Sequence, residues 1–165
     1  MTATGERLRR EIQQHRPMRS KGQETVIALF RTADILRRHF SQTLEPAGIT
    51  LQQYNVLRIL RGAGPDGLPT LAIAERMLER TPGVTRLLDR MEEKGWVSRQ
   101  RSAEDRRLVL CRATARGLDH LGELDAPIDA ADDVVVERLS DRQCELLLRA
   151  LGQVRDGLEN EETRE

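Results

Sequence analysis

The order of textures downstream of Thr70 constrains this chain more than any other feature of its sequence. Thr70 opens a short amphipathic run that ends near Leu78. Thr81-Pro82 then restarts the chain, because a capping hydroxyl followed by a proline at the first helical position costs no hydrogen bond a helix would otherwise make. The second run reaches Lys94 and stops at Gly95. After it, residues 96–101 and 107–112 read as strands joined by the polar stretch 102–106. A short helix, a tight turn, a second helix and a basic hairpin are the parts of a helix-turn-helix followed by a wing.

The second helix, residues 81–94, divides cleanly. Val84, Leu87, Leu88 and Met91 recur at helical spacing and are expected to pack inward. The opposite face offers Thr81, Pro82, Gly83, Thr85, Arg86, Asp89 and Arg90. Short hydroxyls and glycine let a backbone approach a DNA groove, and arginine can take guanine O6 and N7 with two hydrogen bonds. An ordinary amphipathic surface helix would show the same division, so the hairpin decides. Its Arg99, Arg101, Arg106 and Arg107 can reach phosphates or a narrow minor groove. Asp105, two residues before Arg107, is placed to hold that guanidinium. Together these residues point to double-stranded DNA. The alternative is a winged-helix protein-protein interaction module without DNA binding, which would have lost the arginines.

The flanks predict helices too large for this unit to cover. Over residues 23–45, Val26, Leu29, Phe30, Ala33, Leu36, Phe40 and Leu44 form one stripe, stopped by Pro46 and Gly48. Thr50 and Gln53 form a capping box for a helix carrying Tyr54, Val56, Leu57 and Leu60. Thr114 opens a helix that Pro127 kinks or interrupts. Ser140 and Gln143 form a second capping box before the stripe Cys144, Leu147, Leu148, Leu151, Val154 and Leu158. The expected fold class is therefore mainly α with a small β-hairpin wing. Residues 1–22 are a basic arm or short helix, 23–48 and 114–160 hold dimerisation helices, 49–113 are the DNA-binding domain, and 161–165 are an acidic tail. Uncovered stripes imply a homodimer, whose two reading helices would lie about 34 Å apart on a two-fold site.

The formal net charge of zero hides an asymmetry. Residues 1–40 carry +5, residues 41–118 carry +4 and residues 119–165 carry −9. A polyanion suits the basic part. Phe30, Phe40, Tyr54 and Trp96 are the whole aromatic set, which disfavours single-strand binding by base stacking. No apolar run reaches the roughly 20 residues of a membrane span, and Cys111 and Cys144 lack metal spacing. A cytoplasmic protein without membrane contact is expected. His15, His39 and His120 are scattered, no phosphate loop is present, and no nucleophile sits beside a base. Neither metal, cofactor nor enzymatic activity is expected. His39, Phe40 and Tyr54 are open to two readings, a ligand cavity or plain core.

From Leu71 to Gly117 the sequence resembles the multiple-antibiotic-resistance regulator (MarR) family. The resemblance rests on Ala74-Glu75-Arg76, the run from Val84 to Glu92, Gly95-Trp96-Val97, Asp105-Arg106-Arg107, Thr114 and Gly117. It implies a homodimer straddling a pseudo-palindromic operator, with the helix matching 81–94 in the major groove and the arginine matching Arg107 in the minor groove. It also implies a repressor released by a small, often aromatic, effector. The chain departs from oxidant-sensing members, having no cysteine near the start of the first long helix. On the wing, Ser102 replaces the common leading aspartate.

Overall fold

The computed structural model describes residues 3–79, 82–101 and 108–162, which are mainly helical with one small sheet. In chain order the elements are α1 (Ala3–Glu11), α2 (Lys21–Leu44), α3 (Leu51–Ala63), β1 (Leu68–Pro69), α4 (Thr70–Arg76), α5 (Val84–Glu93), β2 (Val97–Arg101), β3 (Val109–Ala113), α6 (Ala115–Val136) and α7 (Asp141–Glu162). Two compact units divide the chain at Asp125, so α6 begins in the first and ends in the second.

In the first unit, α1 turns the N-terminal segment into a short helix held by buried Leu8. It closes on Gln13, which adopts a left-handed φ of 52°, while the Gln14 amide donates to the Arg9 carbonyl at 2.9 Å. This is the Schellman pattern with glutamine where glycine is usual. Ser20 starts α2 two residues earlier than the apolar stripe indicated, because its hydroxyl accepts from the Gln23 amide at 3.1 Å. Gly48, at φ 66°, ends the short 3₁₀ turn after α2. The capping box of α3 forms as expected: Gln53 donates its amide to Thr50 Oγ1 at 3.2 Å and accepts from the Thr50 amide at 3.1 Å. Leu57, Leu60, Ile73, Leu88, Met91, Val97, Cys111 and Leu121 are fully buried and form the core. Each such aliphatic side chain contributes about 1.5–3 kcal/mol.

The sheet is antiparallel, in the order β1-β3-β2. Strand β1 pairs Leu68 with Cys111 and Pro69 with Leu110. It can come this close because Gly67 has φ 70° and no side chain, whereas a Cβ there would lie 2.5 Å from the Cys111 carbonyl oxygen.

Several expectations need correction. Thr70 does not cap α4: Pro69 occupies that position, and the Thr70 hydroxyl lies 3.9 Å from Cys111 Sγ instead. Helix α4 ends at Arg76, not Leu78. Helix α5 starts at Val84 and not at Pro82, because Gly83 takes a left-handed φ of 80° and serves as the cap. Of the two readings of Pro127, interruption fails, because the residue lies inside α6 without ending it. The second capping box is half formed, since the Ser140 amide donates to Gln143 Oε1 at 2.9 Å but the Gln143 amide donates to the Ser140 carbonyl.

In the second unit, residues 126–165 contain the end of α6 and all of α7. Leu146, Leu147, Leu148, Val154 and Leu158 of α7 are exposed, so most of the long apolar stripe is uncovered among the described residues.

Candidate nucleic-acid interface

Helix α5 is fixed by its inner face. Val84, Leu87, Leu88 and Met91 are all buried, as their spacing predicts. That anchoring leaves Thr85, Arg86 and Arg90 exposed on the outer side, behind the exposed turn at Pro82 and Gly83. Among the described residues no side chain caps α5, and uncapped first amides with the positive end of a helix dipole favour an anion. Thr81, expected at this end, lies outside the described residues.

The arginines of this unit sort into engaged and available groups. Arg112 Nε donates to the Pro65 carbonyl at 2.6 Å, and its Nη1 donates to Gln100 Oε1 at 3.2 Å. Arg61 Nη1 pairs with Asp125 at 2.9 Å. Arg37 of α2 pairs with Glu79 at 2.7 Å, which ties the connection between α4 and α5 to the long helix. Buried Asn55 holds the same connection by accepting from the Leu78 amide at 2.9 Å. Arg86 and Arg90, one turn apart, make no hydrogen bond or ion pair among the described residues. Arg76 and Arg101 share that freedom and are exposed. Arg76 drew no role from sequence reasoning, although its place in the last turn of a short helix before the reading turn was a usable signal.

The wing divides differently. Arg101 ends β2 opposite Val109. Arg99 instead turns towards α5, with Nη1 2.7 Å from Asp89 Oδ1 and Nη2 donating to the Thr85 carbonyl at 3.1 Å. Asp105, Arg106 and Arg107 lie outside the described residues.

At the root of the wing, Trp96 joins three elements. Its ring stacks on His120 at 4.8 Å, Lys94 Nζ lies 4.2 Å from the ring centre, and its carbonyl accepts from the Thr114 amide at 3.0 Å. Lys94 also donates to the Gly48 carbonyl at 2.9 Å, so this cation is engaged internally too.

His39 and Phe40 neighbour each other on α2, half-buried and edge to face at 5.4 Å. Tyr54 is buried on α3, with the Arg58 guanidinium 5.9 Å above its ring. A surface groove of about 580 Å³ runs where α2 meets α3, lined by Arg38, Ser41, Gln42, Ile49 and Gln52 among others, and none of the three aromatic candidates lines it. Burial pushes the Cys111 thiol up from its ordinary pKa, with the Thr70 hydrogen bond and the Arg99 charge acting against that rise. No cluster among the described residues could hold a metal ion, and none of their helices is long and apolar enough to cross a membrane.

Comparison with known proteins agrees with this geometry. The MarR family profile matches residues 49–109. The HTH-type transcriptional regulator FarR of Neisseria gonorrhoeae is 31% identical over 135 residues, which cover 82% of this chain and 90% of the relative. Among solved structures, the transcriptional repressor CouR bound to a 23-mer DNA duplex superimposes with a TM-score of 0.69 at 26% identity, covering 78% of this chain and 90% of that one. NadR in complex with 4-hydroxyphenylacetate gives 0.67 at 29% identity, covering 84% and 97%.

Proposed function

The chain belongs to the MarR family of DNA-binding transcriptional regulators, and from that premise we propose a homodimeric repressor that reads a pseudo-palindromic operator and is released by a small aromatic effector. The observation that carries the reading is the outer face of α5. Among the described residues Arg86 and Arg90 have no hydrogen-bond or ion-pair partner, on a helix whose other side is buried, while Arg37, Arg61 and Arg112 are engaged by the protein itself. An unpaired guanidinium held on a rigid helix is preorganised for bidentate contact with guanine. In this reading Thr81, Pro82, Gly83, Thr85, Arg86 and Arg90 face the major groove. Arg101, Asp105, Arg106 and Arg107 belong to the wing's approach to the backbone and minor groove. Residues 49–113 are then the reading domain.

The uncovered apolar stripe of α7 supports dimerisation through the terminal helices, since contiguous exposed apolar surface of this kind marks an interface. The aromatic ligand in NadR supports a small aromatic effector here, with His39, Phe40 and Tyr54 as the candidate contacts. A cytoplasmic location fits a DNA partner. A winged helix used only for protein contacts would have no need of free arginines on α5.

The test is a selection of binding sites from randomised duplex with the purified protein, followed by titration against the selected duplex and against its own upstream region. The expected result is a two-fold-symmetric site, bound with affinity that falls steeply as salt rises. Equal affinity for random duplex would defeat the proposal.

A further inference from the structure

Strand β2 alternates, and its register fixes which side chains face α5. Val97 is buried, so Arg99 two residues on shares its face. Arg99 also stands directly opposite Cys111 of β3, which is fully buried on the helix side. The sequence therefore places a guanidinium on the inner face of the wing strand, and only about one-fifth of that side chain is exposed. Three successive turns of α5 meet it: Nη2 donates to the Thr85 carbonyl at 3.1 Å, Nη1 lies 2.7 Å from Asp89 Oδ1, and Nε lies 3.7 Å from Glu92 Oε2.

We propose that Arg99 is a positioning residue for DNA recognition, not a DNA contact: its fork fixes the angle between the wing and the reading helix by holding Thr85 and Asp89 together. Helix α5 and the wing must enter neighbouring grooves at once, so their mutual angle is part of the binding geometry. A planar guanidinium sets such an angle because two donors on one rigid plane engage two acceptors. Glu92 sits beyond hydrogen-bond distance, which leaves Asp89 and the Thr85 carbonyl as the defining partners. Asp89 thereby gains a role as well: it orients the arginine rather than meeting a base. The inference rests on α5 being the reading helix, and Arg86→Gln in the same experiment tests that reading separately.

The experiment compares Arg99→Lys, Arg99→Gln, Asp89→Asn and the double variant Asp89→Asn/Arg99→Gln, each as full-length protein. The probe is the duplex selected by the wild-type protein, and titrations run over a range of salt at a temperature where circular dichroism shows every variant folded. Arg99→Lys keeps the charge but loses the fork. It is expected to bind about tenfold more weakly, close to Arg99→Gln, with the slope of log K against log salt unchanged. The double variant is expected to bind no worse than Arg99→Gln, because both changes break one unit. A direct bond to phosphate gives the opposite pattern: lysine substitutes for arginine, and the slope shrinks by about 0.9 for each phosphate left without its cation. That pattern overturns the proposal, as do additive losses from Arg99 and Asp89. Unchanged binding with only a lowered melting temperature also overturns it, by reducing the interaction to a fold brace. Should Arg99→Gln fail to fold, Asp89→Asn and Arg99→Lys carry the same comparison. Normal binding by Arg86→Gln would instead count against α5 as the reading helix.

Discussion

Gly117→Ala offers a sharp test of the packing at the root of the wing. Gly117 lies in the first turn of α6, and a Cβ there would stand 2.2 Å from the Trp96 carbonyl oxygen and 3.0 Å from its carbon. Comfortable contact needs about 3.5 Å, so the overlap exceeds 1 Å. The obstruction is backbone and cannot rotate aside. Moving it would loosen the bond by which that carbonyl accepts from the Thr114 amide at 3.0 Å. Overpacking of this kind costs about 1–3 kcal/mol, and a weakened hydrogen bond adds about 0.5–1.5 kcal/mol. Alanine returns at most about 1 kcal/mol of helix propensity. The expected net loss is about 2 kcal/mol, which in a domain of this size lowers Tm by roughly 4–8 °C. Gly62→Ala is the matched control. Gly62 sits in α3 without a left-handed φ, and a Cβ added to it would meet no atom within 4 Å. Relieved of glycine's chain entropy, that variant gains about 0.5–1 kcal/mol and melts slightly higher. Both melts are read by circular dichroism at one protein concentration, since the proposed dimerisation would make Tm concentration-dependent. If Gly117→Ala melts at or above the wild-type temperature, the steric reasoning is wrong.

Gly83→Ala forces an L side chain into φ 80° at the cap of α5; a loss of about 1–2 kcal/mol is expected, and an unchanged denaturant midpoint would contradict the left-handed cap. Leu148→Asp, at a site 68% exposed in one chain, leaves a monomer's stability nearly unchanged but dissociates a dimer built on α7. Sedimentation equilibrium decides, and an intact dimer removes that stripe from the interface. Cys111 is expected to react with thiol reagents far more slowly than Cys144. Its raised pKa means the protonated thiol belongs to the folded state. That stabilisation is complete below the ordinary thiol pKa and fades as pH rises through the raised value. Cys111→Ala should therefore show a smaller alkaline loss of stability than the wild type. Arg86→Gln is expected to cost about 1–3 kcal/mol at one base position of the selected site, whereas a uniform loss across sequences reassigns it to phosphate.

Local chemistry made parts of this fold legible from sequence. Thr50 and Gln53 satisfy each other's amides within one turn, so no tertiary information was needed to place the start of α3. Val84, Leu87, Leu88 and Met91 likewise declare their face by spacing alone. Reading failed where a partner distant in sequence decides. Strand β1 is two residues ending in proline, with no alternation to detect, and exists because β3 offers Cys111 and Leu110 as partners. Thr70 has the chemistry of a cap, but its hydroxyl lies beside Cys111. Thr81-Pro82 is a persuasive start signal that the left-handed Gly83 overrides by two residues. By charge alone, Arg99 is one more basic residue on a hairpin. Its alternation with Val97 and the acidic pair Asp89 and Glu92 on the preceding helix were the cues that it faces inward.

The unequal pairing of β3 has a mechanical consequence. Its Leu110 and Cys111 are flanked on both sides, by β1 and by β2, whereas Val109 pairs with Arg101 alone. The hairpin is thus a leaf spring clamped partway along: three strands wide at Leu110 and Cys111, two strands wide at Val109 on one side and at Arg112 and Ala113 on the other. Bending resistance grows with every strand added across a ribbon, so the described part of the wing is stiffest at the clamp. Two residues, Leu68 and Pro69, supply that stiffening.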